Sequence, residues 1–316
     1  MKQVIIVGSA GQDGRILFGR MRREGCRVHG IDRHFAESTE TPGLGLIDIL
    51  DSAAVERAIE ATTPDEVYYL AAFHQSAEEK VDGTLGVIQR SHAVNVLGLL
   101  HFLEAMRRKS PRTRLFYAAS ARIFGMPERA PQDETTPLHP DCVYSINKAA
   151  AVQYVRYYRQ AHSLFAVSGI LYNHESPLRP PHFVSQKIVR AAAAVKLGIQ
   201  SRLVLGDLDA VVDWGYAPDF VDAMIRMLNL PQPEDFVVAT GEPHSVREFV
   251  EIAFGSQGLD WTRHVDVDPT LVSPRRRMLV GDASRLRRAT GWNPSLSFAE
   301  MIALLVGTEV CRRETV

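Results

Sequence analysis

The sequence has few cysteines, no long apolar run and almost no net charge. Its three cysteines among 316 residues, Cys26, Cys142 and Cys311, show no CxxC spacing, so neither a disulfide framework nor a cysteine zinc site is expected. The 11 histidines also lack metal-ligand spacing, and no metal site is predicted. No apolar run approaches the roughly 18 residues of a membrane span, and no signal peptide is visible. With a net charge of -1, the sequence predicts a soluble cytoplasmic protein without a nucleic-acid or membrane partner.

The first half of the sequence alternates short apolar runs with amphipathic stretches. The predicted strands are Val4–Val7, Cys26–Ile31, Glu66–Ala71, Arg114–Ala118 and Ala166–Leu171, and the predicted helices are Gly14–Glu24, Ala53–Ala61, Ala93–Arg108 and Lys148–Gln160. Such alternation is typical of a parallel sheet with helices on both faces. Because crossovers in these sheets are right-handed, we predict an α/β fold with a Rossmann-type, doubly wound sheet.

The pattern becomes irregular after Ser176. Prolines mark a loop, and the helical stretches Val184–Leu197, Asp219–Leu228, Val246–Phe254 and Phe298–Val306 then alternate with short strands. The sequence therefore predicts a dinucleotide-binding domain over residues 1–176 and a smaller mixed α/β domain over residues 177–316. Residues 207–242 are candidates to return to the first domain.

Three glycines lie between the first predicted strand and the first helix. Gly8, Gly11 and Gly14 form a GxxGxxG run that encloses Gln12 and Asp13. Glycines permit a tight turn that brings backbone N–H groups close to a pyrophosphate, and the helix N-terminus favours its negative charge. The run predicts a dinucleotide site, with a purely structural turn as the alternative.

Acidic residues after the second strand bear on the choice of cofactor. Asp32 ends that strand, where a carboxylate accepts hydrogen bonds from an adenosine ribose, which favours NAD over NADP. Arg33 beside it is suited instead to a 2′-phosphate. Asp48 has three interpretations: an adenine contact, a helix N-cap before Ala53, or one member of a pair with Asp51.

A catalytic group is indicated by Tyr144 and Lys148, which form a YxxxK pair. Residues four apart on a helix share one face. An ammonium group beside a phenol favours the phenolate and lowers the phenol pKa, so Tyr144 is suited to take a hydroxyl proton while hydride leaves the same carbon. Ser120 follows a predicted strand, at the sheet edge where such folds bind ligands, and its hydroxyl is placed to bind the reacting oxygen. Without this context the pair would be interpreted as a surface tyrosine and a solvated lysine.

Taken in this order, the glycine turn, Asp32, Ser120 and the YxxxK pair resemble the extended short-chain dehydrogenase/reductase superfamily. Further segments are similar to the GDP-mannose 4,6-dehydratases, and together they run from residue 4 to about residue 300. These segments are Gly11–Gly14, Pro64–Tyr68, Leu70–Ala72, Tyr172–Pro177, Leu205–Ala210, Asp213–Gly215, Asp219–Val221, Val246–Phe249 and Gly291–Pro294.

The resemblance implies a nucleotide-sugar enzyme. In that family a bound nicotinamide cofactor takes hydride from C4 of the hexose with the tyrosine as base, a glutamate removes the C5 proton, water leaves from C6, and hydride returns to C6. It implies catalytic roles for Ser120, Tyr144 and Lys148, with Tyr144 and Lys148 also at the cofactor. It further implies cofactor contacts from Leu70, Ala71 and Ala72, substrate contacts from Asn173 and Glu175, and nucleotide-sugar binding by residues 177–316.

This sequence departs from the family pattern at the glutamate. Arg122 occupies that position, and a guanidinium cannot act as a general base at neutral pH. Arg122 is therefore predicted to hold a substrate oxygen or an anionic group, with a solvent-facing arginine as the alternative. Glu175 cannot be taken as the replacement base, because it belongs to a different family segment.

Two other departures concern the substrate and the assembly. Arg275, Arg276 and Arg277 replace an Arg-Pro-Thr-Glu-like run, and they form either a grip on the diphosphate or a solvated loop. The basic segment that follows the second strand in the family is short here, which weighs against NADP and a tetramer. We expect a homodimer through the helices around 93–108 and 148–160.

Three functions remain open from the sequence. The first is a 4,6-dehydratase that acts on a nucleotide-diphosphate sugar of the GDP-hexose type. The second is a C4 epimerase, 4-oxidase or 4-keto reductase, which needs Ser120, Tyr144 and Lys148 but no base for C5. The third is a non-catalytic NAD(H)-binding sensor or scaffold, which would not need the proton-transfer pair.

Overall fold

The computed structural model describes residues 1–33, 47–73, 85–271 and 278–315. Its strands are β1 Gln3–Val7, β2 Arg27–Ile31, β3 Glu66–Tyr69, β4 Arg114–Ser120, β5 Phe165–Leu171, β6 Asn173–Glu175, β7 Leu203–Leu205, β8 Val211–Tyr216, β9 Phe236–Val238, β10 Pro243–Ser245 and β11 Val265–Val267. Its helices are α1 Gln12–Arg23, α2 Ser52–Thr62, α3 Leu85–His92, α4 Gly98–Lys109, α5 Val143–His162, α6 Val184–Lys196, α7 Ala217–Leu228, α8 Val246–Gly255, α9 Ser284–Thr290 and α10 Phe298–Glu314. A π-helical turn, Ala93–Leu97, joins α3 to α4.

Six parallel strands form the central sheet. Their order is β2-β1-β3-β4-β5-β9, and every neighbouring pair is parallel. Strands buried on both faces are apolar throughout, as β1 is with Val4, Ile5, Ile6 and Val7. The chain leaves β1 in one direction for β2 and then crosses to β3 on the other side, so a ligand crevice opens at the carboxyl ends of β1 and β3. The predicted Rossmann-type α/β fold is confirmed.

Helices cover the sheet on both faces. On one side α1 packs against α7, and α7 also contacts β4 and β5; on the other side α2 packs on α4, and α5 lies against β4 and β5. Asp51 begins α2 as its N-cap by accepting hydrogen bonds from the backbone N–H groups of Ala53 and Ala54. The N-cap interpretation offered for Asp48 is thus wrong, because Asp51 performs that role.

A second apolar core lies outside the central sheet. Its buried side chains come from α6, α8 and α10, from β7 and β11, and from Leu208 and Trp214. The main core, by contrast, takes side chains from residues 4–172 and again from two later segments, one with α7 and β9 and one with α9 and Trp292. The chain therefore returns to the main core twice after residue 176. The domain boundary at residue 176 stays a prediction.

Candidate active site

The glycine turn is shaped by two positions that admit no side chain. Gly8 has φ +87, and a Cβ there would lie 2.7 Å from the backbone nitrogen of Ala71 on the neighbouring strand end. A Cβ at Gly14 would lie 2.2 Å from the carbonyl oxygen of Gly8. The backbone of α1 thus comes directly against the end of β1. Gly11 is the N-cap of α1 and offers no side chain to cap the helix, so its first N–H groups are suited to an anionic oxygen. This cradle fits the diphosphate of a dinucleotide.

The carboxylate of Asp13, next to the glycine turn, is engaged by a histidine. Its Oδ2 accepts a hydrogen bond from His174 Nε2 at 2.9 Å, while His174 Nδ1 donates to the carbonyl of Tyr172 at 2.7 Å. Burial alone would raise the Asp13 pKa and lower that of His174, but the pair more than offsets both effects: the Asp13 pKa is lowered and the His174 pKa is raised. A buried ion pair therefore joins the first turn of α1 to β6.

Gln12 strengthens the same link. Its amide Nε2 donates to the carbonyl oxygen of His174, and its Oε1 accepts from the hydroxyl of Ser176 at 2.9 Å. The structure thus assigns Gln12 and Asp13 to the joint between the glycine turn and the segment that follows β5. Their predicted contact with the cofactor is not tested by these bonds.

Of the groups predicted to recognise adenosine, Asp32 contacts the glycine turn. Asp32 is half-buried at the end of β2 and accepts a hydrogen bond from the backbone N–H of Ala10 at 3.0 Å. Arg33 beside it is exposed. Asp48 is exposed and accepts from the backbone N–H of Leu50 at 2.9 Å. Residues 34–46 lie outside the described part of the chain.

The segment after β3 is held by a residue that sequence reasoning missed. Asn95, fully buried in the π-helical turn, accepts from the N–H of Phe73 through its Oδ1 and donates to the Phe73 carbonyl through its Nδ2. This pair of bonds fixes the strand exit that contains Leu70, Ala71 and Ala72. Leu70 itself donates from its N–H to the carbonyl of Val7 at 2.8 Å, beside the glycine turn. No sequence signal pointed to Asn95, because a single π-helical turn is not visible in a helical pattern, although such turns are frequent at functional sites.

Ser120 and Tyr144 meet at the carboxyl edge of the sheet. Ser120 ends β4, and Tyr144 lies in the first turn of α5, where Cys142 is the N-cap and forms a reciprocal capping pair with Ser145. Burial raises the pKa of Tyr144 to about 12, against a hydrogen bond with Ser120 and the positive charges of Arg179 and Arg122, which lower it. The structure thus brings the two predicted catalytic residues, Ser120 and Tyr144, within hydrogen-bond distance of each other.

Lys148 takes a different position from the one its spacing suggested. Its Nζ is buried and donates to the carbonyl of Ala118 at 2.8 Å, 4.9 Å from the centre of the Tyr117 ring. Burial lowers the pKa of Lys148 to about 7. The expectation that its ammonium lowers the Tyr144 pKa is wrong for the described protein, because Nζ is directed toward β4 and the Tyr144 pKa lies above its ordinary value.

Arg122 faces Tyr144 and Cys142. It lies in a 3₁₀ turn, Ala121–Phe124, that directly follows Ser120. Its Nη2 approaches Cys142 Sγ at 3.8 Å, and its Nε is buried without a hydrogen-bond partner. Burial alone would raise the Cys142 pKa, but hydrogen bonds from Ser145 and the charge of Arg122 lower it below the ordinary value. The half-buried Arg122 side chain is thus directed into the site rather than into solvent.

Comparison with known proteins agrees with this geometry. A family model described as GDP-mannose 4,6 dehydratase matches residues 5–305. The chain belongs to the GDP-mannose 4,6-dehydratase family. It is 38% identical over 338 residues to GDP-mannose 4,6 dehydratase 2 of Arabidopsis thaliana, covering 100% of this chain and 89% of that protein. It is 35% identical over 345 residues to GDP-mannose 4,6-dehydratase of Sinorhizobium fredii, covering 96% of this chain and 95% of that protein.

A solved structure extends the likeness beyond the GDP-mannose 4,6-dehydratase family. UDP-glucose 4-epimerase of Thermus thermophilus, in complex with NAD, superposes with a TM-score of 0.83 at 27% identity, covering 99% of this chain and 100% of that chain. The resemblance seen in the sequence is confirmed, and the chain is an enzyme of a nucleotide-sugar family.

Arg179 is a charged group of this family member that sequence reasoning missed. Its Nε lies 3.4 Å from Glu175 Oε2, and its guanidinium stacks 3.8 Å from the centre of the Phe183 ring. Its charge lowers the pKa values of both Tyr144 and Asp13. It stands in a proline-rich loop without periodicity, so only its charge could have drawn attention to it.

The residues predicted to contact the nucleotide sugar differ in burial and in the contacts they make within the protein. Glu175 is buried, and its Oε2 accepts a hydrogen bond from Ser185 at 2.6 Å, so with Arg179 it is already engaged within the protein. Asn173 is exposed at the start of β6. Arg275, Arg276 and Arg277 lie outside the described residues.

The described residues contain neither a metal-binding cluster nor a membrane-spanning helix. No group of three or more His, Cys, Asp or Glu side chains within the described ranges is arranged to hold a metal ion. No helix in the described ranges is long and apolar enough to cross a membrane.

Proposed function

We propose that this enzyme oxidises C4 of a nucleotide-linked hexose and then reduces C4 again, without loss of water. It is thus a 4-epimerase within the dehydratase family, and a 4-oxidase or 4-keto reductase, which would carry out only one of the two hydride transfers, is the alternative. The observation that carries the proposal is the Arg122 guanidinium, whose charge acts on Tyr144 and whose Nη2 approaches Cys142 at the start of α5, at the position where the family resemblance implies the glutamate that dehydration needs. Glu175 does not stand in for it, because it is buried and engaged by Ser185 and Arg179.

In this mechanism Tyr144 is the base. A bound nicotinamide dinucleotide supplies the hydride acceptor for C4. Tyr144 takes the proton of the C4 hydroxyl, and Ser120 binds the same oxygen while the carbonyl forms. Because the Tyr144 pKa is about 12, the cations Arg122 and Arg179 assist by stabilising the developing phenolate. Tyr144 returns the proton when C4 is reduced, and reduction on the opposite face inverts C4.

The cofactor proposed is NAD. Gly8, Gly11 and Gly14 form the cradle for its diphosphate, and Asp32 is the proposed partner of the adenosine ribose. Arg33 keeps the NADP alternative open, since it is exposed next to Asp32. Leu70, Ala71, Ala72 and Asp48 complete the proposed cofactor wall, and Lys148 joins it from beneath Tyr144.

The substrate proposed is a nucleotide-diphosphate sugar, with GDP-hexoses as the first class to test because the relatives named above act on GDP-mannose. Asn173 is the proposed contact on β6. The arginine run 275–277 is proposed for the diphosphate, with a solvated loop as its alternative.

The test is the product formed from GDP-mannose with NAD and, separately, with NADP. We expect a product of unchanged mass and altered C4 configuration, with the Tyr144→Phe variant as the inactive control. Loss of one water would support the second candidate, the 4,6-dehydratase that family membership favours. Tight NAD binding without hydride exchange to any GDP- or UDP-sugar would support the third, a sensor or scaffold.

The homodimer and the cytoplasmic location also stay proposals. Apolar side chains are exposed on α3, the π-helical turn and α5, namely Ile88, Leu97, Ile146, Tyr154 and Tyr157. The helices α3 and α5 touch within one subunit through a hydrogen bond between His92 and Asn147, and we propose that a second copy covers the exposed apolar side chains of both. Sedimentation of the wild type and the Tyr157→Glu variant tests the dimer; a wild type that sediments as a monomer contradicts it.

A further inference from the structure

Arg122 is a cation without a matching anion. Its Nε is buried and has no hydrogen-bond partner, and its Nη2 makes only a 3.8 Å contact with a thiol. No carboxylate of the described residues forms an ion pair with it. A guanidinium that is partly withdrawn from water, as Arg122 is, without a hydrogen-bonded counter-charge is costly, so this arrangement favours a ligand that brings the anion.

The second cation near Tyr144 provides the contrast. Arg179 also lowers the Tyr144 pKa, and its Nε is likewise buried without a hydrogen bond, but its guanidinium lies 3.4 Å from the Glu175 carboxylate and stacks on Phe183. Of the two arginines that act on the catalytic hydroxyl, only Arg122 lacks a carboxylate partner among the described residues. The missing anion therefore belongs beside Tyr144, since the Arg122 charge lowers the Tyr144 pKa and its Nη2 lies 3.8 Å from Cys142 Sγ, two residues before Tyr144.

We propose that Arg122 binds a carboxylate on the sugar, which makes the substrate class the nucleotide hexuronates. This inference rests on the proposed C4 chemistry. In a hexuronate C6 is a carboxylate attached to C5, the neighbour of C4, whereas the diphosphate is attached at C1 across the ring. An anion bound beside the group that reacts with C4 is therefore the C6 carboxylate. The planar guanidinium matches a carboxylate through two parallel N–H bonds.

The chemistry of C6 agrees with this assignment. A 4,6-dehydration removes a hydroxyl from C6, and a C6 carboxylate has no such leaving group. A substrate of this class therefore needs no carboxylate base at position 122. One substitution, from glutamate to arginine, accounts both for the absent base and for an acidic substrate.

The experiment compares matched pairs of sugars on the NAD-loaded protein by titration calorimetry. The pairs are UDP-glucuronate with UDP-glucose, and GDP-mannuronate with GDP-mannose. We expect the uronate of at least one pair to bind at least tenfold more tightly than its hexose. Arg122→Gln removes that preference, and Arg122→Lys retains part of it because the charge remains. Arg202→Gln, which removes an exposed arginine paired with Asp266, is the control and keeps the wild-type ratio.

Two results would overturn the inference. One is equal affinity of the wild type for both members of each pair, and the other is a ratio that Arg122→Gln leaves unchanged while circular dichroism shows a folded variant. Reduction of bound NAD, followed by absorbance in the same samples, tests the underlying function separately. Hexoses that reduce NAD as well as uronates do, with equal affinity, refute the substrate class and leave the C4 chemistry intact; no reduction by any sugar refutes the C4 chemistry itself.

Discussion

The ammonium nitrogen of Lys148 lies 5.7 Å from the centre of the Tyr144 ring but donates its hydrogen bond to the carbonyl of Ala118, at 2.8 Å. It is buried beneath the tyrosine and not beside the hydroxyl. The lysine therefore lies below the Tyr144 ring, while the positive charges of Arg122 and Arg179 lower the pKa of the phenol. Two guanidinium groups thus act on the hydroxyl, and the amine beneath the ring is bonded to β4.

The buried amine makes stability depend on pH. Below pH 7 the Lys148 amine is protonated in both states, and the folded state bears the cost of burying it. Between pH 7 and the ordinary value of 10.5 the unfolded chain binds the proton and the folded chain does not, so wild-type stability rises with pH across that window. Lys148→Met removes this slope. The lowered Lys148 pKa corresponds to a cost of about 1.4 kcal/mol per pKa unit, and the Ala118 carbonyl left unpaired in the variant costs about 1–3 kcal/mol. We therefore expect the free energy of unfolding of the variant to exceed that of the wild type by ~2 kcal/mol at pH 6 and by less at pH 9.

Denaturant unfolding at pH 6 and pH 9 measures this effect. Lys196→Met is the matched control, because Lys196 is exposed and also donates to a carbonyl, that of Gln257. A Lys148→Met protein that is less stable than the wild type at pH 6 would show that the amine stabilises the fold.

Tyr144→Phe separates catalysis from binding. Removing a positioned proton-transfer group typically costs 10²–10⁴-fold in rate, so we expect hydride transfer to fall by about that factor. The ring remains to pack beside Lys148, and the affinity for NAD should change less than about threefold. The checks are single-turnover absorbance of reduced nicotinamide and calorimetry with NAD. A rate within about twofold of the wild type would remove Tyr144 from the base role.

Arg122→Glu places a carboxylate where the sequence resemblance implies the glutamate of the dehydratase family. If the guanidinium is what prevents removal of the C5 proton, the variant should release water from GDP-mannose while the wild type does not. Arg122→Gln is the control, since it removes the charge without supplying a base. Mass spectrometry of the product decides the matter: equal water loss by the wild type and both variants would mean that another group is the base.

The Asp13–His174 ion pair predicts a second dependence of stability on pH. Its contribution to stability is lost both on acidification and at higher pH. The raised His174 pKa contributes stability that is complete below its ordinary value of 6.5 and is lost as pH rises through the folded value. The lowered Asp13 pKa contributes stability that is present above 3.8 and is lost on acidification. Asp13→Asn should therefore lower stability most between about pH 4 and pH 6.5, by about 3 kcal/mol because a buried charge loses its partner.

Thermal unfolding from pH 4 to pH 9 tests that window. Asp266→Asn, which breaks the exposed pair with Arg202, should cost less than about 1 kcal/mol at every pH. An Asp13→Asn deficit that is the same at pH 5 and pH 9 would mean that His174 is neutral in the folded protein.

The sequence was sufficient for the features that depend on chain order. Gly8 and Gly14 lie where a strand gives way to a helix, and Ser120 ends a strand of the same parallel sheet, so the edge they share followed from topology. Tyr144 reaches that edge because α5 begins at residue 143, five residues before the predicted start.

Other features depend on packing that no local pattern encodes. The direction of Lys148 is decided by the Ala118 carbonyl and the Tyr117 ring, which only the folded sheet brings beneath it. Whether Asp48 or Asp51 caps α2 depends on the start of the helix to within a few residues, which periodicity does not give. Arg179 and Asn95 have roles only through partners in segments far from them in the chain.

The sixth strand of the central sheet, β9, pairs with β5 through Gly169, Ile170 and Leu171. A gene recombination that joined the first 176 residues of this enzyme to the remainder of a distant relative would therefore replace an edge strand of the central sheet along with the second core. One crossover would exchange two packing interfaces at once. In this architecture a new specificity should thus arise by substitution within the chain more readily than by exchange of whole segments.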